Sequence, residues 1–521
     1  MKNSIGKAVS VVLVMNLATK ILGFVRETVI AYGFGASFMT DAYLIAYTIP
    51  YFLQAILGFA LVSAVVPVLT KYLVDENYDE TWHVASTILN LTALVLVLVT
   101  ILGMAGAGLL VKITAPGASL ELARLATYLT RIMFPSVVFM GVGMVISGIL
   151  NAFYKFAAPA FAPGFSNIII IASVLLFSSR YGITGLAVGT LISFFGFLVI
   201  QIPVLKRVKF KYHLVLDLKH PAVRNLMFTL LPIILGVAVN QINLALNRVF
   251  ASWLAEGSIS ALNYAMKLMS LPQGIFVAAV VAAVYPTMAS FAIKGEKKAL
   301  TDTLFRGLGM VSLIAIPAAA GLMILRVPIV QLLFERGAFD HQATLATASA
   351  LLYYSLGLFP GSANMVLTRA YYAIGDVKTP LYAGFFSIVA NVLLSVILMN
   401  PMTHSGLALA HSLATGANTL FLYYGLKKHL PYLKGKSLII SLGKICLASG
   451  IMALVTWLGA VFLGTRMDLT MGRNLALLVL STITLGALTY VIAVILLKVD
   501  DVKMMQDALL KKFKKQADRT K

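Results

Sequence analysis

Apolar runs of about 20 or more residues recur along nearly the whole chain, and each is long enough to cross a bilayer as a helix. Of the 521 residues, 60% are hydrophobic and 12% charged, where a soluble domain carries roughly 25% charged residues. Mean hydropathy is +0.93. β-barrel spans are shorter and alternate in polarity, which these runs do not. The expected fold class is therefore an all-α polytopic membrane protein. The pattern predicts about fourteen transmembrane helices, from a first span near 8–32 to a last near 474–497.

Seven basic side chains interrupt those runs: Lys20, Arg26, Arg131, Arg248, Lys267, Arg369 and Lys444. A charge at the bilayer centre costs about 2.5–3.5 kcal/mol on insertion scales, so such residues face a bundle interior or a wet cavity, or snorkel to an interface. Arg26 and Arg248 stand 222 positions apart, as do Pro50 and Pro272. Pro159 and Pro380, and Gly185 and Gly406, are 221 apart. LGFVRETVIAYGFGASFMTDAYLIAYTIP from Leu22 aligns with LALNRVFASWLAEGSISALNYAMKLMSLP from Leu244, placing Asp41 on Asn263. The repeat unit has six spans, an even number, so the copies share one orientation and form a parallel repeat. The expected domains are a six-helix lobe at 1–220, a second at 221–430, two additional helices within 431–500 and a basic tail at 501–521.

The formal net charge of +22 does not point to nucleic acid, because most of the 41 Lys and Arg sit in termini and short loops between spans. The densest clusters are the loop from Lys206 to Arg224, Lys294–Arg306, Lys427–Lys436 and the tail. The positive-inside rule therefore places both termini in the cytoplasm of a multi-pass protein. The single cysteine excludes a disulfide framework and a four-cysteine metal site, and no metal or other cofactor is expected. No Walker A loop, HExxH or GxSxG occurs, so no enzyme is expected.

Three constellations remain. Lys20, Arg26 and Asp41 open the first repeat. Lys20 and Arg26 differ by about 120° around a helix, so both can border one wide cavity. Arg26 can also pair with Glu27 or Asp41, and Asp41 suits a helix cap or a gate. Arg248 and Lys267 open the second repeat, with Glu256 as an alternative partner. Asn243, Asn247, Asn391, Ser395 and His411 form a polar set that either binds an ion, relays a proton or hydrogen-bonds between helices. A cationic interior suits an anion, since arginine grips phosphate as a fork and lysine as a point charge.

Residues 19–69 resemble the MurJ/MviN family of lipid II flippases, in the MOP exporter superfamily. The shared pattern is Lys20, Leu22-Gly23, Arg26-Glu27, Phe34-Gly35-Ala36, Asp41-Ala42-Tyr43 and Pro50. LLFERGAF at 332–339 and NYAMKLMSLPQG at 263–274 extend it, with Lys267 where the family usually carries arginine. The resemblance implies two six-helix lobes plus two helices, a cationic central cavity, and export of lipid-linked peptidoglycan precursor by alternating access in the bacterial cytoplasmic membrane. It implies substrate contacts at Lys20, Arg26 and Lys267. Arg248 joins them through the internal repeat, and Asp41 and Glu27 enter as gate or cavity pairing. Expected partners are lipid II or a similar undecaprenyl-diphosphate-linked substrate, membrane lipids and wall-synthesis proteins, with the protein itself a monomer. There are departures. Gln54 and Ala55 stand where members carry arginine, and Asn247, Asn391, Ser395 and His411 supply no carboxylate for the sodium site of some members. Another lipid-linked oligosaccharide flippase or superfamily exporter is the alternative, and a membrane-embedded transferase or scaffold a remote one.

Overall fold

A computed structural model describes residues 2–430, 432, 435–469 and 471–499. Within these, the side chains of 2–10, 59, 229, 231–233, 235–240, 243, 244, 436 and 437 are not described. The expected basic tail at 501–521 and the Asn243 side chain therefore lie outside the described residues.

The described chain is helical, with no strand. The order is α1 (Lys2–Phe34), α2 (Phe38–Val74), α3 (Tyr78–Ala105), α4 (Ala107–Thr114), α5 (Leu120–Met133), α6 (Ser136–Ala152), α7 (Ala157–Val199), α8 (Ile202–Arg207) and α9 (Pro221–Ala251). Then come α10 (Ser258–Pro272), a π-helical stretch (Gln273–Val277), α11 (Ala278–Ile293), α12 (Lys297–Ile324), α13 (Arg326–Phe334) and α14 (His341–Leu356). The chain continues through α15 (Leu358–Ala373), α16 (Lys378–Leu426), α17 (Lys436–Gly464) and α18 (Gly472–Leu496). By length and composition eight helices among the described residues can cross a membrane, or nine when the pair α5 and α6, bent by 41°, counts as one span. Two of the eight, α7 and α16, each run through an internal break, so counting each as two spans brings the nine to eleven, still short of the expected fourteen.

Those breaks extend the repeat. α7 breaks at Gly182 (φ 55°) and α16 at Thr403 (φ 51°), 221 residues apart. Glycine takes a positive φ without a steric penalty, whereas threonine there is strained. The α5–α6 junction at Pro135 and the α14–α15 junction at Gly357 are 222 apart. Prolines account for further irregularity: Pro50 and Pro67 lie inside α2, Pro163 inside α7, and Pro272 immediately precedes the π-helical stretch.

Packing gathers the chain into two compact units, Met1–Ser260 with Arg336–Asp340, and Ala261–Glu335 with His341–Lys521. The sequence repeat turns over near residue 220, but α9 packs against α2 and so belongs to the first unit. In that unit α1 lies along α7, and α2 runs between α5, α6 and α9. Close approach rests on small residues, since lipid supplies no hydrophobic drive between helices. A Cβ added at Gly141 would strike Leu96, and one at Gly189 would strike Ser173. One core cluster gathers Val65, Leu69, Val84, Ile88, Ile149 and Leu150 where α2, α3 and α6 meet. In the second unit α12 packs on α15 and α17, α16 on α14 and α15, and α17 on α18.

Candidate transport site

Apolar sequence drives α1, α2, α7 and α9 into helices, and their few polar residues converge within the first unit. Arg26 on α1 donates from Nη1 to Asn167 Oδ1 on α7 at 3.1 Å and from Nη2 to Glu27 Oε1 at 2.5 Å. Its side chain is 18% exposed and that of Glu27 6%. Arg26 Nε is buried with no hydrogen-bond partner. Asn167 also donates to the Thr19 carbonyl, so it ties α7 to α1 at two levels.

Arg248 approaches α2 from α9. Its Nη1 donates to Thr48 Oγ1 at 2.6 Å and to the Leu44 carbonyl at 3.2 Å. Between the two arginines runs a tyrosine ladder on one face of α2. Tyr43 stacks on Tyr47 at 5.9 Å, and Tyr47 meets Tyr51 at 5.7 Å. Tyr43 Oη and Thr190 Oγ1 share a hydrogen bond of 3.0 Å. Glu27, Tyr43 and Tyr47 lie within electrostatic reach of both guanidiniums. Two fixed positive charges and one carboxylate leave the cluster net positive. Such a low-dielectric site strengthens any anion contact made there.

Asp41 lies elsewhere. It does not cap its own helix, and it does not pair with Arg26. Its carboxylate, 2% exposed, accepts from Gly257 N at 2.7 Å, Ser260 N at 2.8 Å and Ser260 Oγ at 2.7 Å. It thus caps the N-terminus of α10, where free N–H groups and the helix dipole favour an anion. Glycines make the approach possible. Gly257 (φ +85°) lies against the Ala36 carbonyl, Gly35 (φ +67°) against that of Ala338, and Gly337 (φ +63°) against that of Tyr32. Ala338 N donates to the Tyr32 carbonyl at 2.9 Å. The FGA and RGAF strings of the sequence are therefore interlocking turns.

The other expected residues are placed as follows. Lys20 is exposed on α1. Lys267 lies half-buried on α10 in the second unit. Asn247, 7% exposed, belongs to the first unit, whereas Asn391 and Ser395, one turn apart on α16 and both fully buried, belong to the second with His411. Tyr354 meets the His411 ring edge-on at 5.6 Å. Gln54, at the position where arginine was expected, accepts from Tyr47 Oη at 3.4 Å. Arg369 lies over Tyr285 and Tyr372, and Lys444 Nζ donates to the Lys498 carbonyl just past α18; these contacts are structural. Sequence reasoning missed Asn167, Thr48 and the tyrosines as a ladder. The spacing of four between Tyr43, Tyr47 and Tyr51 carries the last signal, since residues four apart share a helix face.

Comparison with known proteins bears on this geometry. The family model described as "Lipid II flippase MurJ" matches residues 30–478. A probable lipid II flippase MurJ of Buchnera aphidicola is 34% identical over 416 residues, covering 79% of this chain and 81% of that protein. The lipid II flippase MurJ of Burkholderia cenocepacia is 30% identical over 425 residues, 80% of this chain and 82% of that one. A probable MurJ of Synechocystis is 30% identical and covers 98% of each chain. Among solved structures, a lipid II flippase MurJ in an inward closed conformation superposes with a TM-score of 0.77 at 29% identity, covering 92% of this chain and 97% of that one. An inward-facing MATE transporter of the MOP superfamily superposes at 0.68 with 16% identity, a likeness of fold alone. The chain belongs to the MurJ family of lipid II flippases, which are transporters and not enzymes.

Proposed function

We propose that this chain carries lipid II from the inner to the outer leaflet of the bacterial cytoplasmic membrane, holding the diphosphate at Arg26 and Arg248. One observation carries the reading: two guanidiniums flank a single carboxylate inside a membrane bundle, and Arg26 Nε is buried without a partner. A diphosphate supplies the acceptors that such a cluster lacks, and a guanidinium binds it bidentately. Tyr43, Tyr47 and Tyr51 offer flat faces and hydroxyls to a sugar headgroup, while the lipid tail stays in the bilayer. Lys20 and Lys267 act as further basic contacts along the path. Alternating access moves the headgroup past them, with the Asp41 cap as a gate element. Both termini and the 206–224 loop face the cytoplasm, as the positive-inside rule requires.

The cavity's net positive charge favours coupling to the membrane potential, worth about 2.3 kcal/mol per charge per 100 mV. Depletion of the resident flippase, with headgroup exposure at the outer leaflet as readout, tests the reading. Arg26→Ala is expected to abolish rescue, and Arg26→Lys to restore it in part, since it keeps charge and loses the fork. Full rescue by a normally accumulating Arg26→Ala protein overturns the assignment of Arg26.

A further inference from the structure

The segment joining α8 to α9 was expected to be a basic cytoplasmic loop. It forms no helix or strand and is strapped along α3. Phe210 meets the Trp82 ring edge-on at 5.3 Å. Further on, Ser86 Oγ accepts from His213 N at 3.1 Å. Asn90 Nδ2 donates to the carbonyls of His213 at 3.1 Å and Val215 at 2.8 Å, and Asn90 Oδ1 accepts from Tyr212 Oη at 2.7 Å. The strap then turns back. Asp217 faces His83 at 3.5 Å, and His220 Nε2 lies 2.7 Å from Glu80 Oε1. His220 Nδ1 accepts from Ala222 N and so caps α9.

Read along α3, the strap enters near residue 82, reaches residue 90 and returns to residue 80. Its tip is therefore the part furthest along α3. Asn90 lies twelve residues beyond Tyr78, about 18 Å along the helix axis, and about 9 Å past residue 84, where the apolar span begins. At that depth backbone carbonyls need partners, because lipid offers none. Asn90 supplies an amide hydrogen-bond donor to each of two of them. The tip side chain between them, Leu214, is 91% exposed. Tyr212, Leu216 and Leu218 are 56%, 46% and 49% exposed, and Val215 N donates to the His213 carbonyl at 2.9 Å in a tight turn that carries Leu214. Lys206, Arg207, Lys209, Lys211 and Lys219 form the shoulders of the strap, all of them exposed.

We propose that residues 206–220 form a membrane-dipping clasp, with Leu214 inserted into the acyl region of the cytoplasmic leaflet and the basic shoulders bound to anionic phospholipid headgroups. The occupant is identified by complementarity. A row of exposed leucines at the depth of the interface suits acyl chains, and a ring of lysines around it suits phosphates. This rests on the same cytoplasmic placement of the loop but not on the identity of the transported lipid.

The test uses full-length protein in vesicles of phosphatidylethanolamine and phosphatidylglycerol. A fluorophore is placed at Leu214→Cys or, as a shoulder control, at Lys219→Cys, each in a Cys446→Ser background. Lipids brominated on the acyl chain should quench position 214 and spare 219, and iodide should do the reverse. Leu216→Cys gives a second reading should the tip variant fail to accumulate. Brominated phosphatidylglycerol should quench position 214 more than brominated phosphatidylcholine at equal mole fraction. Replacing Lys206 and Lys209 by alanine should weaken that preference by about fivefold for each basic residue removed. Equal iodide quenching at 214 and 219, which places the tip in water, or no bromolipid quenching at 214, which places protein over it, overturns the insertion. Equal quenching by the two brominated lipids overturns the anionic headgroup.

Discussion

Two polar clusters hang from α2, and they are built in opposite ways. At Thr48 the helix meets Arg248 and, through the tyrosine ladder, Arg26. Seven residues earlier, about 10 Å along the axis, Asp41 meets the start of α10. The arginine cluster has more donors than acceptors. The Asp41 knot has both carboxylate oxygens engaged, by two backbone N–H groups and one hydroxyl. A buried polar group left unsatisfied is costly, so the first arrangement is poised for a ligand and the second is closed. The contrast separates a cluster with a donor to spare from one whose acceptors are all engaged, although sequence marks both as charges in apolar runs.

The largest effect should come from separating charge from binding in the arginine cluster. Arg26→Ala alone removes the counter-ion beside Glu27, and removing one partner of a buried pair costs about 3–5 kcal/mol. Adding Glu27→Gln should recover most of that stability, read by thermal unfolding in detergent, without recovering export. A double variant that exports normally would break the distinction, since Arg26 would then be only Glu27's counter-ion.

Asp41→Ala should act on the knot in the opposite sense. It strands three donors, each at about 1–3 kcal/mol when buried, and should lower the unfolding temperature more than Asp41→Asn, which keeps one acceptor oxygen. A probe attached at Ser37→Cys, in a Cys446→Ser background, should become more reactive from outside the cell. Unchanged reactivity would mean that the knot does not hold that side closed.

A smaller effect is expected at Gly257. Alanine there must take φ +85° and place its Cβ 2.6 Å from the Ala36 carbonyl, a strain of about 1–3 kcal/mol. The α1–α2 turn should loosen while the arginine cluster keeps its hydrogen bonds. Hydrogen exchange should therefore rise at residues 35–41 and stay unchanged at 44–51. A rise at both would show that the two clusters are one cooperative element.

The smallest effect, none, is expected on replacing sodium by potassium or choline in reconstituted vesicles. Asn247, Asn391, Ser395 and His411 include no carboxylate, and a hard monovalent cation is poorly held without an anionic ligand. Strict sodium dependence would show that the coupling charge lies outside both clusters.

Length, hydropathy and the 221–222 residue spacing were enough to establish a helical membrane protein with a duplicated core, and the cost of a charge in lipid singled out Arg26 and Arg248. These are local properties, paid residue by residue along the chain whatever lies beside it. Partners are not local. That Arg26 meets Asn167 depends on α1 lying along α7, and that Asp41 caps α10 depends on three glycine turns interlocking. Nothing in the string KFKYHLVLDLKH distinguishes a solvated loop from a clasp, because its deciding contact, Asn90, is more than a hundred residues away. Sequence by itself determined what must leave water and which charges must be accommodated. Only the tertiary structure decided which helices stand side by side, and therefore which of those charges is left with donors to spare.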